Sequence, residues 1–410
     1  MTVDKNHLLN ESKVFCMFPW VHLNVTPKGD IYPCCSNNYT DPVGNTKVIT
    51  LKEAFNSEKM KELRLNMLND KPTKICDLCY KQEETSPHSF RKYSIEHFAK
   101  NFDELVPATN PNGSLDEFKM RYFDIRFSNI CNFKCRTCGA EFSSQWAAEN
   151  KINNPSHPIL FHADDSKGQL LEEVLTHIDH IDLAYFAGGE PLITEEHYII
   201  LEELIRKGRT DVVLRYNTNA SNIKFKQYDL LDLWKRFDRI EVSCSIDHYG
   251  DRAELLRHGT DWGKVEKNLL MFRDLDYVEF QMNTVFSIFN YQTITDFYSY
   301  MEEKGIVRKG DWHHTLYLAP YPPYYASKAL PKSLKIEADR KIAEFIAAHP
   351  DNFKAINHSL NDASLFANAE HTWTEQKEKF LYMNDRLNGL RNEDLFRVFP
   401  ELAILQELDE

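Results

Sequence analysis

The chain has 410 residues, and its 49 Lys and Arg against 62 Asp and Glu give a formal net charge of -13. This length predicts two or three domains, and the acidic balance disfavours binding to bulk nucleic acid or an anionic membrane. No segment has the length of a membrane span and the first residues lack a signal-peptide core, so we expect a cytoplasmic protein. Disulfides are rare in that compartment. The spacing of the nine cysteines is therefore used to identify which of them could bind a metal.

Five of the nine cysteines fall within the first 80 residues. They are Cys16, the adjacent Cys34 and Cys35, and the chelating pair Cys76-x2-Cys79. The turn Pro27-Lys28-Gly29-Asp30 joins two β-rich runs and predicts a hairpin that brings Cys16 toward Cys34. A helical run over 51–68 then leads to the CxxC pair. Four thiolates suit a zinc ion or an iron–sulfur cluster, so both metals stay open at this point.

Beyond a linker at 101–118 that contains Pro and Gly, strand-like and helical runs alternate and fit a barrel. The predicted strands span 122–128, 180–187, 212–218, 239–246, 278–287 and 313–318. The predicted helices between them span 168–178, 195–207, 227–237, 264–275 and 293–304. This organisation predicts a small module at 1–100, a barrel at 119–320 and a helical extension at 321–410. The extension is expected to contain helices at 335–349 and 374–387.

The motif Cys131-x3-Cys135-x2-Cys138 directly follows the first of these strands. We therefore expect the three thiols on a loop at the carboxyl end of the strand, where the catalytic loops of a β/α barrel lie. Iron–sulfur clusters usually take four cysteines, so three thiolates leave one iron of a four-iron cluster open. Structural zinc is the alternative for these thiols. The motif Gly188-Gly189-Glu190-Pro191, one β/α unit later, is hard to explain by zinc.

The cysteine spacing, its place after a strand and the Gly-Gly-Glu-Pro motif together resemble the radical S-adenosylmethionine (SAM) enzymes. In that family the open iron chelates SAM, and reduction of the cluster cleaves SAM to a 5′-deoxyadenosyl radical. The resemblance implies an α/β fold, the partial (β/α)6 TIM-like barrel that the family uses. It also makes the three thiols the catalytic cluster ligands, Cys131, Cys135 and Cys138.

The same resemblance implies which residues contact SAM. They are Gly188, Gly189, Glu190, Pro191, Asn219, Ser243, Ser245 and Arg257. The glycines permit close approach of backbone acceptors to the methionine ammonium group, and Arg257 matches an arginine that pairs with the SAM carboxylate. A surface position is the alternative for Arg257. Thr137 departs from the family pattern, because the residue before the last cluster cysteine is commonly aromatic there.

The N-terminal cysteines resemble the auxiliary-cluster module called SPASM, or twitch in its shortened form. The shared features are a cysteine, a hairpin, a Pro-Cys, a Gly-Asn, a helix with Leu-Arg and a closing CxxC. The implied ligands of one auxiliary four-iron cluster are Cys16, Cys34, Cys76 and Cys79. Cys35 is then the spare thiol, with the reverse choice of Cys35 over Cys34 as the alternative. In most relatives this module follows the radical domain, whereas here it precedes it.

One face of the predicted strands is polar, although parallel strands covered by helices are usually apolar on both faces. Unpaired polar groups are costly in a dry interior, so this face requires salt bridges, water or polar ligands. The substrate-binding candidates on it are Asp124, Arg126, Arg215 and Asp247. An internal ionic network, such as Asp124 with Arg126, is the alternative role for these side chains.

The sequence therefore predicts a radical SAM oxidoreductase with one auxiliary cluster, which abstracts a hydrogen atom from a substrate C–H bond. Relatives with this module act on ribosomally made peptides, sulfatase side chains and aminoglycoside-type sugars. We expect a peptide or protein substrate, with a sugar-like metabolite as the alternative. A flavodoxin- or ferredoxin-type protein is the expected reductant, and neither a membrane nor nucleic acid is expected as a partner. A zinc-stabilised binding protein without catalysis is the alternative of another class.

Overall fold

The computed structural model describes residues 4–37, 39–85, 87–152, 154–164, 168–310, 314–318, 321–350 and 354–408. The chain divides into two compact units. Unit 1 comprises Met1–Ile130, Ser156–Arg215 and Gln227–Arg239. Unit 2 comprises Cys131–Pro155, Tyr216–Lys226 and Ile240–Glu410.

Strands and helices follow one another along the whole of the described chain. The strands are β1 (His22–Val25), β2 (Asp30–Tyr32), β3 (Gly44–Asn45), β4 (Tyr122–Ile125), β5 (Lys134–Cys135), β6 (Leu183–Phe186), β7 (Val213–Thr218), β8 (Lys224–Phe225), β9 (Tyr228–Asp229), β10 (Ile240–Ser245), β11 (Arg257–His258), β12 (Val278–Phe286) and β13 (His314–Leu318). The α-helices are α1 (Phe18–Val21), α2 (Leu51–Phe55), α3 (Glu58–Leu68), α4 (Asp77–Thr85), α5 (Phe90–Phe98), α6 (Phe102–Leu105), α7 (Ser144–Lys151), α8 (Gln169–Thr176), α9 (Glu195–Arg206), α10 (Leu230–Trp234), α11 (Gly250–Leu256), α12 (Trp262–Asp274), α13 (Ile294–Glu303), α14 (Lys332–Ala348), α15 (Lys354–Asn368), α16 (Trp373–Arg391) and α17 (Leu395–Val398). A π-helical turn spans His7–Glu11, and 3₁₀ turns span Lys74–Cys76, Ala99–Asn101, Pro191–Ile193, Tyr291–Thr293, Pro323–Tyr325, Ser327–Ala329 and Pro400–Gln406.

Unit 1 contains the strands β6-β4-β1-β2-β3, in that spatial order. The predicted hairpin is confirmed, since β1 and β2 pair antiparallel around Gly29, whose φ of +91° favours glycine. Strand β1 also pairs in parallel with β4, with Asn24 opposite Asp124. The N-terminal hairpin thereby extends the parallel pairing of β4 with β6.

The helix predicted over 51–68 is interrupted and forms α2 and α3. Thr50 and Glu53 form a capping box at the start of α2. The Ser57 side chain accepts a hydrogen bond from the Met60 backbone N–H and so caps the start of α3. In α3 the fully buried Arg64 donates to the carbonyl oxygens of three segments of unit 1. These are Pro19 at 2.8 Å, Gly113 at 3.1 Å and Phe55 at 2.7 Å.

Unit 2 contains β10, β12 and β13, which pair in parallel. Residue Ser243 of β10 lies opposite Gln281 of β12. The apolar residues Val242 and Cys244 on the other face of β10 are fully buried, as expected for a strand face covered by helices. Helices α14, α15 and α16 belong to the same unit. Of these, α15 was not predicted from the sequence.

The predicted α/β fold class is confirmed. All six predicted barrel strands and all five intervening helices occur, most of them one to three residues shorter at their ends. The helix predicted over 227–237 shrinks to α10 because Tyr228 and Asp229 form β9. His313, the predicted start of the last strand, lies outside the described residues. Together the parallel strands and helices correspond to a partial TIM-like barrel with an added N-terminal module.

The boundaries of the modules, at 1–100, 101–118, 119–320 and 321–410, stay predictions. Helix α6 lies within the predicted linker, and its Phe102 is buried. Within the described residues, no helix combines the length and apolar character that crossing a membrane requires.

Candidate functional site

Four N-terminal thiols line one small cavity in unit 1. They belong to Cys16, Cys34, Cys76 and Cys79. The remaining wall is largely apolar and includes Val14, Phe18, Met67 and Phe90. Four thiols in one apolar cavity fit a fully ligated four-iron cluster, and they also fit the zinc site that is the alternative. The predicted ligands are therefore brought together, although they lie up to 63 positions apart in the sequence.

Local structure sets the position of three of these thiols, those of Cys16, Cys34 and Cys79. Cys16 precedes α1, and its sulfur lies 3.0 Å from the Ser94 hydroxyl. Cys34 follows β2, and its sulfur lies 3.6 Å from the Ser36 carbonyl oxygen. Cys79 lies in α4, and its sulfur lies 3.8 Å from the Ser36 hydroxyl oxygen. Burial raises the pKa of Cys16 to about 12 and that of Cys34 well above its usual value. Metal binding must therefore displace thiol protons at neutral pH.

Cys35 has different neighbours from those of Cys34. The pKa of Cys35 is raised to about 12, mainly by burial, with a contribution from the Asp124 carboxylate and an opposing effect of the Arg126 guanidinium group. The Cys35 thiol therefore lies within electrostatic range of the Asp124 and Arg126 side chains. Cys35 is not one of the described residues that line the four-thiol cavity.

We expect the two adjacent cysteines to respond differently to substitution. Cys34→Ala removes a cavity thiol, so the iron content should fall toward that of a single four-iron cluster, while Cys35→Ala should leave the iron content nearly unchanged. Iron and sulfide analysis of both variants, purified without oxygen, measures this. Equal losses would show that the thiols exchange roles, and a loss confined to Cys35→Ala would reverse the assignment.

The predicted substrate residues of unit 1 form hydrogen bonds with one another and with nearby side chains. Asp124 is fully buried, and its carboxylate accepts hydrogen bonds from Arg126 Nε at 3.3 Å and Asn24 Nδ2 at 2.9 Å. Arg215 donates from Nη1 to the Tyr93 hydroxyl at 2.6 Å. The internal ion pair between Asp124 and Arg126 is therefore present, and contact of these residues with a substrate stays a prediction.

The Gly-Gly-Glu-Pro motif is held against the backbone that leads into the cysteine loop. The Glu190 N–H donates to the carbonyl of Ile130 at 2.8 Å, and Ile130 directly precedes Cys131 in the sequence. Gly188 adopts φ +124°, and a Cβ there would lie 3.1 Å from Arg126 Cβ. A Cβ on Gly189 would overlap the Ile130 carbonyl. Both glycines are therefore required by the backbone path.

Gly189→Ala is expected to destabilise this junction by about 1–3 kcal/mol, because the added methyl group meets backbone and not a movable side chain. SAM binding should weaken as well. Gly263→Ala is the matched control, since a Cβ at Gly263 meets only Asp261 Oδ1, at an ordinary contact distance of 3.7 Å. Chemical unfolding and SAM titration of both variants test this. Equal stability and SAM affinity of the two variants would show that the close approach is unimportant.

The second group of cysteines lies in unit 2, where β5 pairs antiparallel with β11 and places Arg257 opposite Cys135. Arg257 Nη1 lies 3.8 Å from Cys135 Sγ. The guanidinium group also pairs with Asp247, with Nη2 2.9 Å from Oδ1 and Nε 2.9 Å from Oδ2. Asp247 therefore orients Arg257 beside the cysteine loop, and Arg257 is largely buried, not a surface residue.

Backbone hydrogen bonds shape the cysteine loop itself. The Phe133 N–H donates to Cys131 Sγ at 3.4 Å, and the Cys138 N–H donates to the Cys135 carbonyl at 3.0 Å. Cys138 is exposed, whereas Cys135 is half-buried. Burial raises the pKa of Cys135, against the opposing effect of Arg257. As in unit 1, these thiols must lose protons when they bind a metal.

Two of the other predicted SAM residues have identified partners in unit 2. Asn219 Nδ2 donates to Asn132 Oδ1 at 2.9 Å and so contacts the cysteine loop. Ser243 donates instead to Gln281 Oε1 on β12, at 3.2 Å. Ser245 lies two residues further along β10, on the same face as Ser243. Binding of SAM by these residues stays a prediction.

The sequence did not single out Asn132 or Tyr93, which contact predicted site residues. Their partners Asn219 and Arg215 are 87 and 122 positions away in the sequence, so no local pattern indicates these contacts. Within the described ranges, no group of three or more His, Cys, Asp or Glu side chains is arranged to hold a single metal ion. The thiol donor sets nevertheless fit iron–sulfur clusters, whose cysteines bind different irons.

Comparison with known families gives two matches. The radical SAM superfamily model matches residues 125–301, and the SPASM model, described as an iron–sulfur cluster-binding domain, matches residues 16–80. Together these two stretches make up more than half of the chain. No protein with a curated function matches it.

Solved structures with similarity to the chain have low sequence identity. Native anSMEcpe with bound AdoMet is 17% identical with a TM-score of 0.38, and the match covers 58% of this chain and 62% of that one. Streptococcus suis SuiB bound to S-adenosylmethionine is 14% identical with a TM-score of 0.38, and the match covers 83% and 74%. TYW1 with a lysine-pyruvate adduct is 10% identical with a TM-score of 0.31, and the match covers 56% and 71%. The chain thus spans less than two thirds of the first of these relatives.

The fold and the three-cysteine loop define a radical SAM domain, whose cofactors are a four-iron cluster and SAM. The chain thus contains a radical SAM domain at residues 125–301 and, at residues 16–80, a SPASM domain, the type of domain that binds auxiliary iron–sulfur clusters.

Proposed function

We propose that this protein is a radical SAM enzyme, which abstracts a hydrogen atom from a C–H bond of a peptide or protein and completes a net two-electron oxidation. The observation that supports this proposal most strongly is that one cavity is lined by four thiols, those of Cys16, Cys34, Cys76 and Cys79. A cluster held by four thiolates has no iron free to bind substrate. The three-thiol loop of unit 2, in contrast, leaves one coordination position for SAM.

In this proposal Cys131, Cys135 and Cys138 hold the catalytic cluster. When bound, this cluster and SAM supply the 5′-deoxyadenosyl radical, and the auxiliary cluster supplies an electron acceptor. Arg257 would hold the SAM carboxylate through charge-assisted hydrogen bonds, and its pairing with Asp247 fixes the orientation of the guanidinium group. The backbone of Gly188–Pro191 would supply hydrogen-bond acceptors for the methionine ammonium group.

The polar groups of unit 1 are compatible with a peptide substrate and with the alternative, sugar-like one. Asp124 offers a carboxylate, while Arg126 and Arg215 offer guanidinium groups, and Tyr93 adds a hydroxyl group. Such donors and acceptors match amide groups and charged side chains. Oriented binding is what the protein contributes to radical chemistry, because the radical itself comes from the cofactor.

The test uses the complete, reconstituted enzyme with SAM, dithionite and short peptides encoded beside its gene. We expect 5′-deoxyadenosine to form and one peptide to lose two hydrogen atoms, as measured by mass spectrometry. Deuterium at the oxidised carbon should appear in 5′-deoxyadenosine. SAM cleavage without any mass change across the peptides, but with oxidation of a sugar-like metabolite, would contradict the peptide assignment.

A further inference from the structure

Arg136 lies inside the cysteine loop, between Cys135 and Cys138, and its side chain is completely buried. A buried guanidinium group is costly unless charges and hydrogen bonds compensate it. Its partners therefore show which part of the protein determines the conformation of the loop.

These partners come from the C-terminal end of α16 and the two residues after it. Arg136 Nη1 donates to Asn384 Oδ1 at 2.6 Å, and Nη2 donates to Asn388 Oδ1 at 2.9 Å. The two asparagines are four residues apart and so lie on one face of the helix. Asn392, in the left-handed conformation with φ +52°, ends the helix. Glu393 then accepts a hydrogen bond from Arg136 Nη2 at 2.6 Å.

Glu393 also reaches the strand that pairs with the cysteine loop. Its second carboxylate oxygen lies 2.5 Å from Nδ1 of His258, which stands opposite Lys134 in the pairing of β5 with β11. One carboxylate thus connects β11 with Arg136, the residue that directly follows β5.

A second buried ion group joins the same elements. Glu149 of α7 accepts from Lys134 Nζ at 2.9 Å and from Arg391 at 3.0 Å and 2.8 Å. The Arg391 guanidinium group lies 4.8 Å from the ring centroid of Trp146. Trp146 in turn donates from Nε1 to the Cys135 carbonyl at 2.6 Å. The end of α16 therefore contacts the loop through two separate groups of charges.

We propose that residues 384–393, which we name the C-terminal clamp, position the catalytic cysteine loop for cluster binding. In it, Glu393 is a positioning residue that acts through Arg136. The clamp lies outside the stretch matched by the radical SAM family, residues 125–301, so it is contributed by this chain's own extension. The inference rests on the proposed role of Cys131, Cys135 and Cys138 as cluster ligands.

Glu393→Gln tests the clamp in the complete chain, because it removes the charge that compensates Arg136 and keeps the side-chain shape. Residues that orient metal ligands typically change metal affinity by about 10- to 100-fold when they are mutated. We expect a loss of this size at the catalytic cluster only. The auxiliary cluster, in the same molecule, is the internal reference for folding.

The matched control is Glu401→Gln. Glu401 makes a two-point ion pair with Arg252 of α11, at 2.7 Å and 3.0 Å, and does so within the same unit. The readout is electron paramagnetic resonance of the reduced protein with and without SAM, combined with iron analysis during chelator titration. The part of the signal that changes with SAM reports the catalytic cluster, and the part that does not change reports the auxiliary cluster.

The clamp predicts that Glu393→Gln loses the SAM-responsive signal at lower chelator concentration than the parent, while Glu401→Gln matches the parent. Equal retention in all three proteins would overturn the inference. If Glu393→Gln loses both clusters, the same measurement on Asn388→Ala decides between the outcomes, since this variant removes only one hydrogen-bond acceptor from Arg136. Selective loss of its catalytic cluster supports the clamp, and full retention of both clusters overturns it. Absence of any SAM-responsive signal in the parent would instead overturn the proposed function.

Discussion

Replacing Cys131, Cys135 and Cys138 together by Ala is expected to abolish SAM cleavage and to leave a folded, brown protein with about half of the parent's iron. The reason is that these thiols belong to unit 2, whereas the four-thiol cavity belongs to unit 1. The auxiliary cluster should therefore remain. The measurement is 5′-deoxyadenosine formed under dithionite, combined with iron and sulfide analysis.

Cys244→Ala is the control for this triple substitution, because Cys244 is a fully buried thiol of β10 that packs in unit 2. It should keep both the parent's iron content and SAM cleavage. If the triple variant cleaved SAM as fast as the parent, the assignment of the catalytic cluster would be wrong.

Replacing Cys76 and Cys79 together by Ala should have the opposite effect on chemistry. SAM cleavage should continue, because the thiols at Cys131, Cys135 and Cys138 are intact. Product formation should be abolished or redirected, since the acceptor for the substrate electron is gone. The measurement is the amount of 5′-deoxyadenosine and of oxidised product in the same reaction. We expect the ratio of 5′-deoxyadenosine to product to rise sharply.

Two structural results would contradict this second expectation. An auxiliary iron with only three protein ligands, or a substrate atom bonded to that iron, would move the role of the SPASM domain toward substrate coordination. A zinc ion bound by Cys16, Cys34, Cys76 and Cys79 would make the domain a scaffold and would remove the basis for a net oxidation.

Local signals account for the parts of the fold that could be predicted from the sequence. Alternating strand-like and helical runs indicated the six strands predicted between residues 122 and 318, and Gly29 marked the hairpin turn. The pairing of β1 with β4 could not be predicted in this way, because it joins residues that are far apart in the sequence, such as Asn24 and Asp124. Similarly, the break between α2 and α3 depends on the cap at Ser57, which competes with the helical pattern around it.

In the candidate site, too, local sequence signals indicate some features, while others depend on residues far apart in the sequence. Cysteine spacing indicated both sets of thiols, because chelation requires ligands at short, fixed separations. The choice between Cys34 and Cys35 depends instead on the direction in which each side chain points after β2. The partners of Arg136 lie 248 and 257 positions away, at Asn384 and Glu393, and no spacing within the loop indicates them.

The most direct test of the account is to purify the complete chain without oxygen and measure its iron, sulfide and zinc together with reductive SAM cleavage. We predict a brown protein with about eight iron atoms per chain, an equal amount of sulfide and little zinc, which forms 5′-deoxyadenosine when reduced. A colourless protein that contains zinc and leaves SAM intact would contradict the central claim.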